Sequence, residues 1–266
     1  MSEIASAGQP GRSRGLTGMV LPLLGLLVAV GAWWLVTYLE LINPVALPAP
    51  QDVWGAFADT TDLLLKHSLT TGRETVVGFL LSTVVGVAIG LSLAASRVVE
   101  RMFSPLLVAI NAVPKIVMAP LLVVTLGWGQ KPILTMVFLL CFFPIVLSTA
   151  TGLTTTPADL AELARSLDAS RWQAFRKVRL PAALPQIFVG LKVAMPLAAI
   201  GAIIGEFQAG EGGLGYAILA YSGLGDTATA WAAIILVALI SVVLYYALLL
   251  VERLLLPWVR ETTSAR

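Results

Sequence analysis

The chain has 266 residues, of which 58% are hydrophobic and only 12% are charged. Soluble domains carry about 25% charged residues, so the composition excludes an ordinary soluble protein and predicts integration in a membrane. A net charge of +2 gives no basis for nucleic-acid binding, and a single cysteine, Cys141, excludes a disulfide framework within the chain.

Six apolar runs follow one another along the chain, and each is long enough for a helix that crosses about 30 Å of hydrocarbon. They lie near residues 16–38, 75–95, 104–126, 132–153, 186–207 and 229–251. A backbone in lipid must satisfy its own hydrogen bonds, so all six runs are expected to be helices. The sequence predicts an all-α polytopic membrane protein, with a six-helix domain at 16–252 between tails at 1–15 and 253–266.

The first run follows Arg12 and Arg14, an order that signal peptides share. It is longer than a signal-peptide core, and no A-x-A cleavage site follows it. We therefore expect an uncleaved first span.

Lysine and arginine set the orientation of the spans, because cytoplasmic loops are enriched in both. With the N-terminus inside, twelve of the 17 basic residues fall on the cytoplasmic side, three fall outside and two fall within spans. Six spans return the chain to its starting side. Both tails are therefore predicted to be cytoplasmic, in a multi-pass protein of the inner (plasma) membrane.

The second run repeats small residues every four positions, on one stripe of a helix. These residues are Gly78, Ser82, Gly86, Gly90 and Ala94. Such stripes let membrane helices approach closely. We expect the stripe to pack inside one subunit, and a contact with a second subunit is the alternative.

Ionisable groups at membrane depth are costly and usually functional. Lys115 is a candidate pathway residue that attracts an anionic solute or contacts a partner subunit, whereas Lys192 lies close enough to the cytoplasmic end to snorkel. Glu206 precedes a glycine-rich stretch that includes Gly213 and Gly215. These three are candidates for a gate at the outer mouth, and a simple structural hydrogen bond of Glu206 is the alternative.

The loop at 154–185, on the cytoplasmic side, contains two capping boxes, one at residues 156–159 and one at 170–173. They predict short helices over about 157–167 and 171–179, and the Leu180-Pro181 pair is expected to end the second helix before the fifth span. Both helices carry an apolar stripe. Each stripe is expected to bury either against the inner ends of the spans or in a groove of a partner protein.

The same loop resembles the EAA loop of ABC importer permeases, whose pattern is E-A-A, three residues, G, nine residues and I-x-L-P. Glu162, Ala164, Leu180 and Pro181 stand at matching positions, whereas Asp168 stands where glycine is usual. Aspartate tolerates the turn conformations that glycine adopts. The resemblance implies that these five residues couple the chain to a cytoplasmic ABC ATPase.

Further segments are similar to the nitrate, sulfonate and taurine branch of that family, which also includes permeases for thiamine-pyrimidine precursors and riboflavin. They are Leu47–Trp54, Pro114–Gly127, and Gly205–Glu206 with Gly213–Tyr216. The resemblance implies a homodimer of two permease copies in the lipid membrane, two ATPase subunits and an external solute-binding protein. Small anions are the substrate class that the branch favours, and a pyrimidine precursor or riboflavin is the alternative.

The chain has no Gly-Lys dipeptide and hence no phosphate loop of the Walker A type. We expect a transport subunit and not an enzyme, without catalytic residues or cofactors, in which ATP is bound by the partner subunit. His67 is the only histidine, so no metal site is expected. Two other classes stay open: an ion-coupled secondary transporter, which usually has more spans and buried acids, and an integral-membrane enzyme, which needs clustered polar groups.

Overall fold

The structure is a computed structural model that describes residues 17–155 and 158–258, and every regular element within these ranges is a helix. The helices are α1 (Thr17–Tyr38), α2 (Pro50–Asp59), α3 (Thr61–Ala95), α4 (Arg97–Ala112), α5 (Ala119–Leu126), α6 (Gln130–Thr154), α7 (Ala158–Ser166), α8 (Arg171–Ala174), α9 (Leu180–Ala209), α10 (Leu214–Gly223) and α11 (Thr227–Leu255). A 3-10 turn (Lys115–Met118) lies between α4 and α5, and a π turn (Phe175–Arg179) lies between α8 and α9.

Five helices of the described ranges are each long and apolar enough to cross a membrane, namely α1, α3, α6, α9 and α11. The pair α4 and α5 meets the same standard only when taken together, and it is bent by 77° at its break. The described chain therefore offers five candidate spans, or six if the bent pair is one span. The predicted all-α polytopic fold is confirmed.

The third predicted span differs from its prediction, because residues 104–126 do not form one continuous helix. Helix α4 ends at Ala112, and Val113 has an extended backbone with φ −69° and ψ 127°. The ring of Pro114 disfavours a helical conformation for the residue before it. The chain restarts as the 3-10 turn and then as α5.

The second predicted span is longer than its apolar run, because α3 begins at Thr61 and not at residue 75. The added turns carry polar side chains, which kept their hydropathy low. Several of their residues are nevertheless buried, among them Leu64, Thr71 and Glu74. Tertiary packing therefore extends this helix beyond the part that hydropathy marks.

The expectation that Leu180-Pro181 ends a helix is wrong. Arg179 and Leu180 both have helical backbone angles, so α8, the π turn and α9 follow one another without interruption. Pro181 has no N–H to donate to the preceding turn. The wider spacing of the π turn lies directly before the proline, where that hydrogen bond is missing.

The core of the bundle is α6, which packs between α3 and α9. The small-residue stripe of α3 faces α6, where a Cβ built on Gly90 would lie 2.5 Å from Thr149 Cβ. On the other side, a Cβ built on Gly201 of α9 would lie 2.7 Å from Val137 Cα. The stripe therefore packs inside one subunit, as expected. Helix α1 lies outside this core, whereas α11 lies at its edge, which it contacts through Leu248, and both helices expose many apolar side chains.

Candidate functional site

The end of the bundle that carries α7 and α8, here called the loop end, contains the five predicted coupling residues. Helix α7 ends in a Schellman-type turn, in which the Ala169 N–H donates to the Ala164 carbonyl at 3.0 Å. Asp168 occupies the left-handed position of this turn with φ 48°. Glycine adopts that conformation most readily and aspartate tolerates it, which accounts for aspartate at the position where the resemblance expects glycine.

Helix α8 begins with the capping box that the sequence predicted. The Gln173 N–H donates to Ser170 Oγ at 3.2 Å, and the Ser170 N–H donates to Gln173 Oε1 at 2.9 Å. These bonds satisfy two backbone donors at the helix start. The other predicted capping box includes residues 156 and 157, which lie outside the described residues.

The apolar stripes of the loop are divided between the bundle and solvent. Ala164 is buried, and α7 packs against the π turn. Leu167 and Trp172 point outward with 72% and 66% of their surfaces exposed. Glu162 is also exposed, whereas Leu180 and Pro181 are half-buried. The loop is thus anchored on its own spans and still exposes a leucine, a tryptophan and a carboxylate.

Lys115 lies at the break in the bent pair. Its ammonium group donates to Asn111 Oδ1 at 2.7 Å and to the Asn111 carbonyl at 3.3 Å. Among the residues that the structure describes, no carboxylate forms an ion pair with it. Lys115 also borders a cavity of about 210 Å³, whose other lining residues are Leu107, Ile110, Asn111, Val113, Met118, Leu139, Phe142 and Phe143.

Lys192, the other lysine predicted within a span, is neutralised inside the bundle. Its Nζ lies 2.9 Å from Glu252 Oε1 and 3.0 Å from Oε2, so α9 and α11 are joined by an ion pair. Both side chains are largely shielded, with 23% and 18% of their surfaces exposed. The sequence indicated snorkelling and missed this partner, because the two residues are far apart in the chain.

The opposite end of the bundle, here called the turn end, brings Glu206 together with the glycines predicted beside it. Glu206 is 1% exposed. Its Oε1 accepts a 2.6 Å hydrogen bond from the Thr71 hydroxyl, and its Oε2 accepts one of 2.6 Å from the Gly215 N–H. Gly213 has φ 96°, and its N–H donates to His67 Nδ1 at 3.0 Å. The predicted gate residues therefore form one hydrogen-bonded cluster at the start of α10.

Sequence reasoning missed the contribution of α3 to this cluster. The only histidine, His67, was given no role in the gate, and Thr71 and Glu74 were not considered because they precede the apolar run. A signal was present, since His67, Thr71, Glu74 and Gly78 are spaced by four, three and four residues and so share one face of a helix.

Comparison with known proteins places these features in a family context. Residues 83–261 match the family described as the binding-protein-dependent transport system inner membrane component. A similar protein is the riboflavin transport system permease protein RibX of Chloroflexus aurantiacus, which is 36% identical over 214 residues that cover 80% of each chain. Another is the putative aliphatic sulfonates transport permease protein SsuC of Bacillus subtilis, 29% identical over 94% of this chain and 91% of the relative.

The fold also resembles a solved structure, the MetNI methionine ABC transporter in an inward-facing conformation. The superposition has a TM-score of 0.61 at 22% sequence identity, and it covers 75% of this chain and 97% of the other. At this level of identity the likeness concerns the fold.

Proposed function

This chain belongs to the binding-protein-dependent transport system inner membrane components, the permease subunits of ABC importers, and we propose that its α7–α8 loop is the surface on which a separate cytoplasmic ATPase docks. The family implies an ATPase partner and an external binding protein. In this proposal the nucleotide cycle of the ATPase moves the loop, and the loop moves the spans.

The observation that carries the docking proposal is the divided burial of the loop. Ala164 and the half-buried residues of the π turn fix the loop to the bundle, while Leu167 and Trp172 stay exposed. An exposed tryptophan and an exposed leucine on the same loop are typical of anchors that enter a groove of a partner. The unbroken helical connection from α8 into α9 gives the loop a stiff link to the core, through which a displacement can reach the spans.

The test is co-purification of the ATPase with tagged permease from membranes that contain the whole importer. We expect Trp172→Ala and Glu162→Lys each to lower the recovered ATPase about tenfold or more, since an aromatic anchor contributes about 2–4 kcal/mol and about 1.4 kcal/mol is tenfold. Glu100→Lys is the matched control, because Glu100 is an exposed carboxylate at the start of α4, at the same end of the bundle but outside the loop.

Recovery equal to that of the wild-type chain in both loop variants would contradict the docking role of this surface. Equal loss in the Glu100→Lys control would do so as well, because it would show that any charge reversal at this end disturbs the complex.

We further propose that the solute is a small anion such as a sulfonate. The proposal rests on Lys115, an ammonium group at the break of a candidate span, without a carboxylate partner in the described part of the chain. An uncompensated charge at membrane depth is costly, and an anionic solute supplies the missing counter-charge. A second candidate is riboflavin, favoured by the 36% identity to the Chloroflexus permease.

The assembly that we propose contains two copies of this chain, with both tails in the cytoplasm and with lipid around α1 and α11. Two helices that expose many apolar side chains are suited to lipid contact. The excess of lysine and arginine on one side supports the orientation of the tails.

A further inference from the structure

The carboxyl group of Glu74 is the least satisfied buried group at the turn end. Its side chain is 4% exposed, and its Oε2 atom has no hydrogen-bond partner. Its carboxyl lies within hydrogen-bonding reach of the Glu206 carboxyl. A buried polar atom without a partner costs about 1–3 kcal/mol, so this pair of acids requires an explanation.

Both oxygens of Glu206 already have a hydrogen-bond partner. Thr71 Oγ donates to Oε1, and the Gly215 N–H donates to Oε2. The same Thr71 hydroxyl accepts from the Leu214 N–H at 2.8 Å. The single proton of that hydroxyl is therefore already used, and Thr71 cannot also donate to Glu74.

Two negative charges in contact within a buried site repel each other strongly, and known carboxyl pairs of this kind share one proton. Arg73, the residue before Glu74 on α3, is exposed and forms no ion pair with either acid. We propose that Glu74 and Glu206 form a proton-binding site in which the two carboxyl groups share one proton.

The bound proton gives the pair a mechanical role. Three successive backbone N–H groups, of Gly213, Leu214 and Gly215, donate to His67, Thr71 and Glu206 respectively. They fasten the start of α10 to α3 and α9, and the N-terminus of α10 stabilises the Glu206 charge. A second charge on Glu74 would push the two acids apart and loosen this attachment, so the proton acts as a latch on the turn between α9 and α10.

Close packing supports a fixed attachment. A Cβ built on Gly215 would lie 2.8 Å from Glu206 Oε2, and one built on Gly213 would overlap the same carboxyl group. The elements packed against the pair carry further titratable or charged groups: His67 and Arg73 of α3, Glu211 of the turn, Tyr216 of α10, and the exposed Lys131 at the start of α6 and Asp226 before α11.

The first experiment is infrared spectroscopy of the intact importer in lipid nanodiscs at neutral pH. The difference spectrum between the wild-type complex and Glu74→Gln should contain the carbonyl band of a neutral carboxylic acid, lost in the variant. Glu211→Gln, which changes an exposed acid of the same turn, should remove only carboxylate bands.

The second measurement is the thermal midpoint of the permease in the same preparations. Glu74→Gln should keep the wild-type midpoint, since its amide N–H can replace the bound proton as the donor to Glu206. Glu206→Gln should lower it, because an amide nitrogen cannot accept from Thr71 or Gly215.

Absence of a neutral-acid band from the wild-type minus Glu74→Gln spectrum would overturn the proposal, whatever the stability of the variants. So would a midpoint that falls as far in Glu74→Gln as in Glu206→Gln. A wild-type midpoint that rises with added sodium or potassium ions, without a neutral-acid band, would assign the pair to a metal cation and also overturn the proposal.

Discussion

Single residues of this permease show how a charge at membrane depth is compensated. Lys192 is paired with Glu252 across α9 and α11, and Glu206 is surrounded by donors. Within the described ranges, Lys115 is bound only by the oxygens of Asn111. The contrast matters for function. A lysine paired with a carboxylate holds helices together, whereas a lysine without a carboxylate partner can bind an anionic solute.

The anion proposal predicts a selective loss on replacement of Lys115. Lys115→Met should lower uptake of ethanesulfonate by proteoliposomes with the whole importer about tenfold to a hundredfold, since a hydrogen bond to a charged group contributes about 1.5–3 kcal/mol. Lys131→Met, which removes an exposed lysine at the start of α6, is the matched control and should transport as the wild type does. Equal rates of riboflavin uptake by the wild-type and the Lys115→Met importers would indicate the second candidate solute instead.

For single residues, the sequence predicted the features that depend on residues close by in the chain. The capping box of Ser170 and Gln173 and the turn conformation of Asp168 follow from local hydrogen bonding and backbone sterics. The partners of Glu206 and Lys192 depend on residues far away in the chain, so the sequence marked the charges but not their pairs. Glu74 was missed for the same reason, because only the tertiary fold shows that it is buried.

Helices pack in this bundle by backbone contact at glycines. Gly201 of α9 faces Val137 of α6, where the nearest atoms are Val137 Cα at 2.7 Å and Val137 N at 3.1 Å from a built Cβ. Backbone atoms cannot turn away as a long side chain can. The contact between α6 and α9 is therefore more sensitive to an added methyl group than most of the apolar surface.

A glycine-to-alanine pair tests this packing. Gly201→Ala should destabilise the permease by about 1–3 kcal/mol, the usual cost of overpacking, seen as a lower midpoint of thermal unfolding in detergent. Gly31→Ala on α1 has no atom within 4 Å of the new Cβ. It should leave the midpoint unchanged or raise it slightly, because alanine favours a helix over glycine by about 0.5–1 kcal/mol. Equal midpoints for both variants would contradict the close packing of α6 and α9.

Helix boundaries were predicted less well than helix existence, and prolines explain two of the three main errors. At Pro114 the chain breaks, because Val113 is forced out of the helical region. At Pro181 the helix continues, because the wider spacing of the π turn before it accommodates the hydrogen bond that proline cannot donate. The same residue type thus has opposite consequences, and the choice depends on tertiary contacts that a single sequence does not display.

At the scale of the whole molecule, the face formed by the bent pair carries a charge that does not suit lipid. The bent pair α4 and α5 exposes apolar side chains such as Val117 at 69%, and it also carries Lys115 at its break. A lysine without a counter-ion is costly against hydrocarbon. A second copy related by two-fold symmetry would cover this face and enclose Lys115 in a shared pathway. Helix α1 has no charged residue and α11 has its charges only in the last turn, so both can remain in lipid.

Cross-linking between copies tests this arrangement. Val117→Cys should yield a covalent permease dimer when membranes are treated with a short bis-maleimide, because two-fold symmetry brings the same face of both copies together. The wild-type chain is the blank, since its single cysteine, Cys141, is fully buried. Val243→Cys on α11, with 56% of Val243 exposed, is the matched control and should stay monomeric. A dimer in the α11 variant and none in the α4–α5 variant would place the interface on the other side of the bundle and leave Lys115 outside any shared pathway.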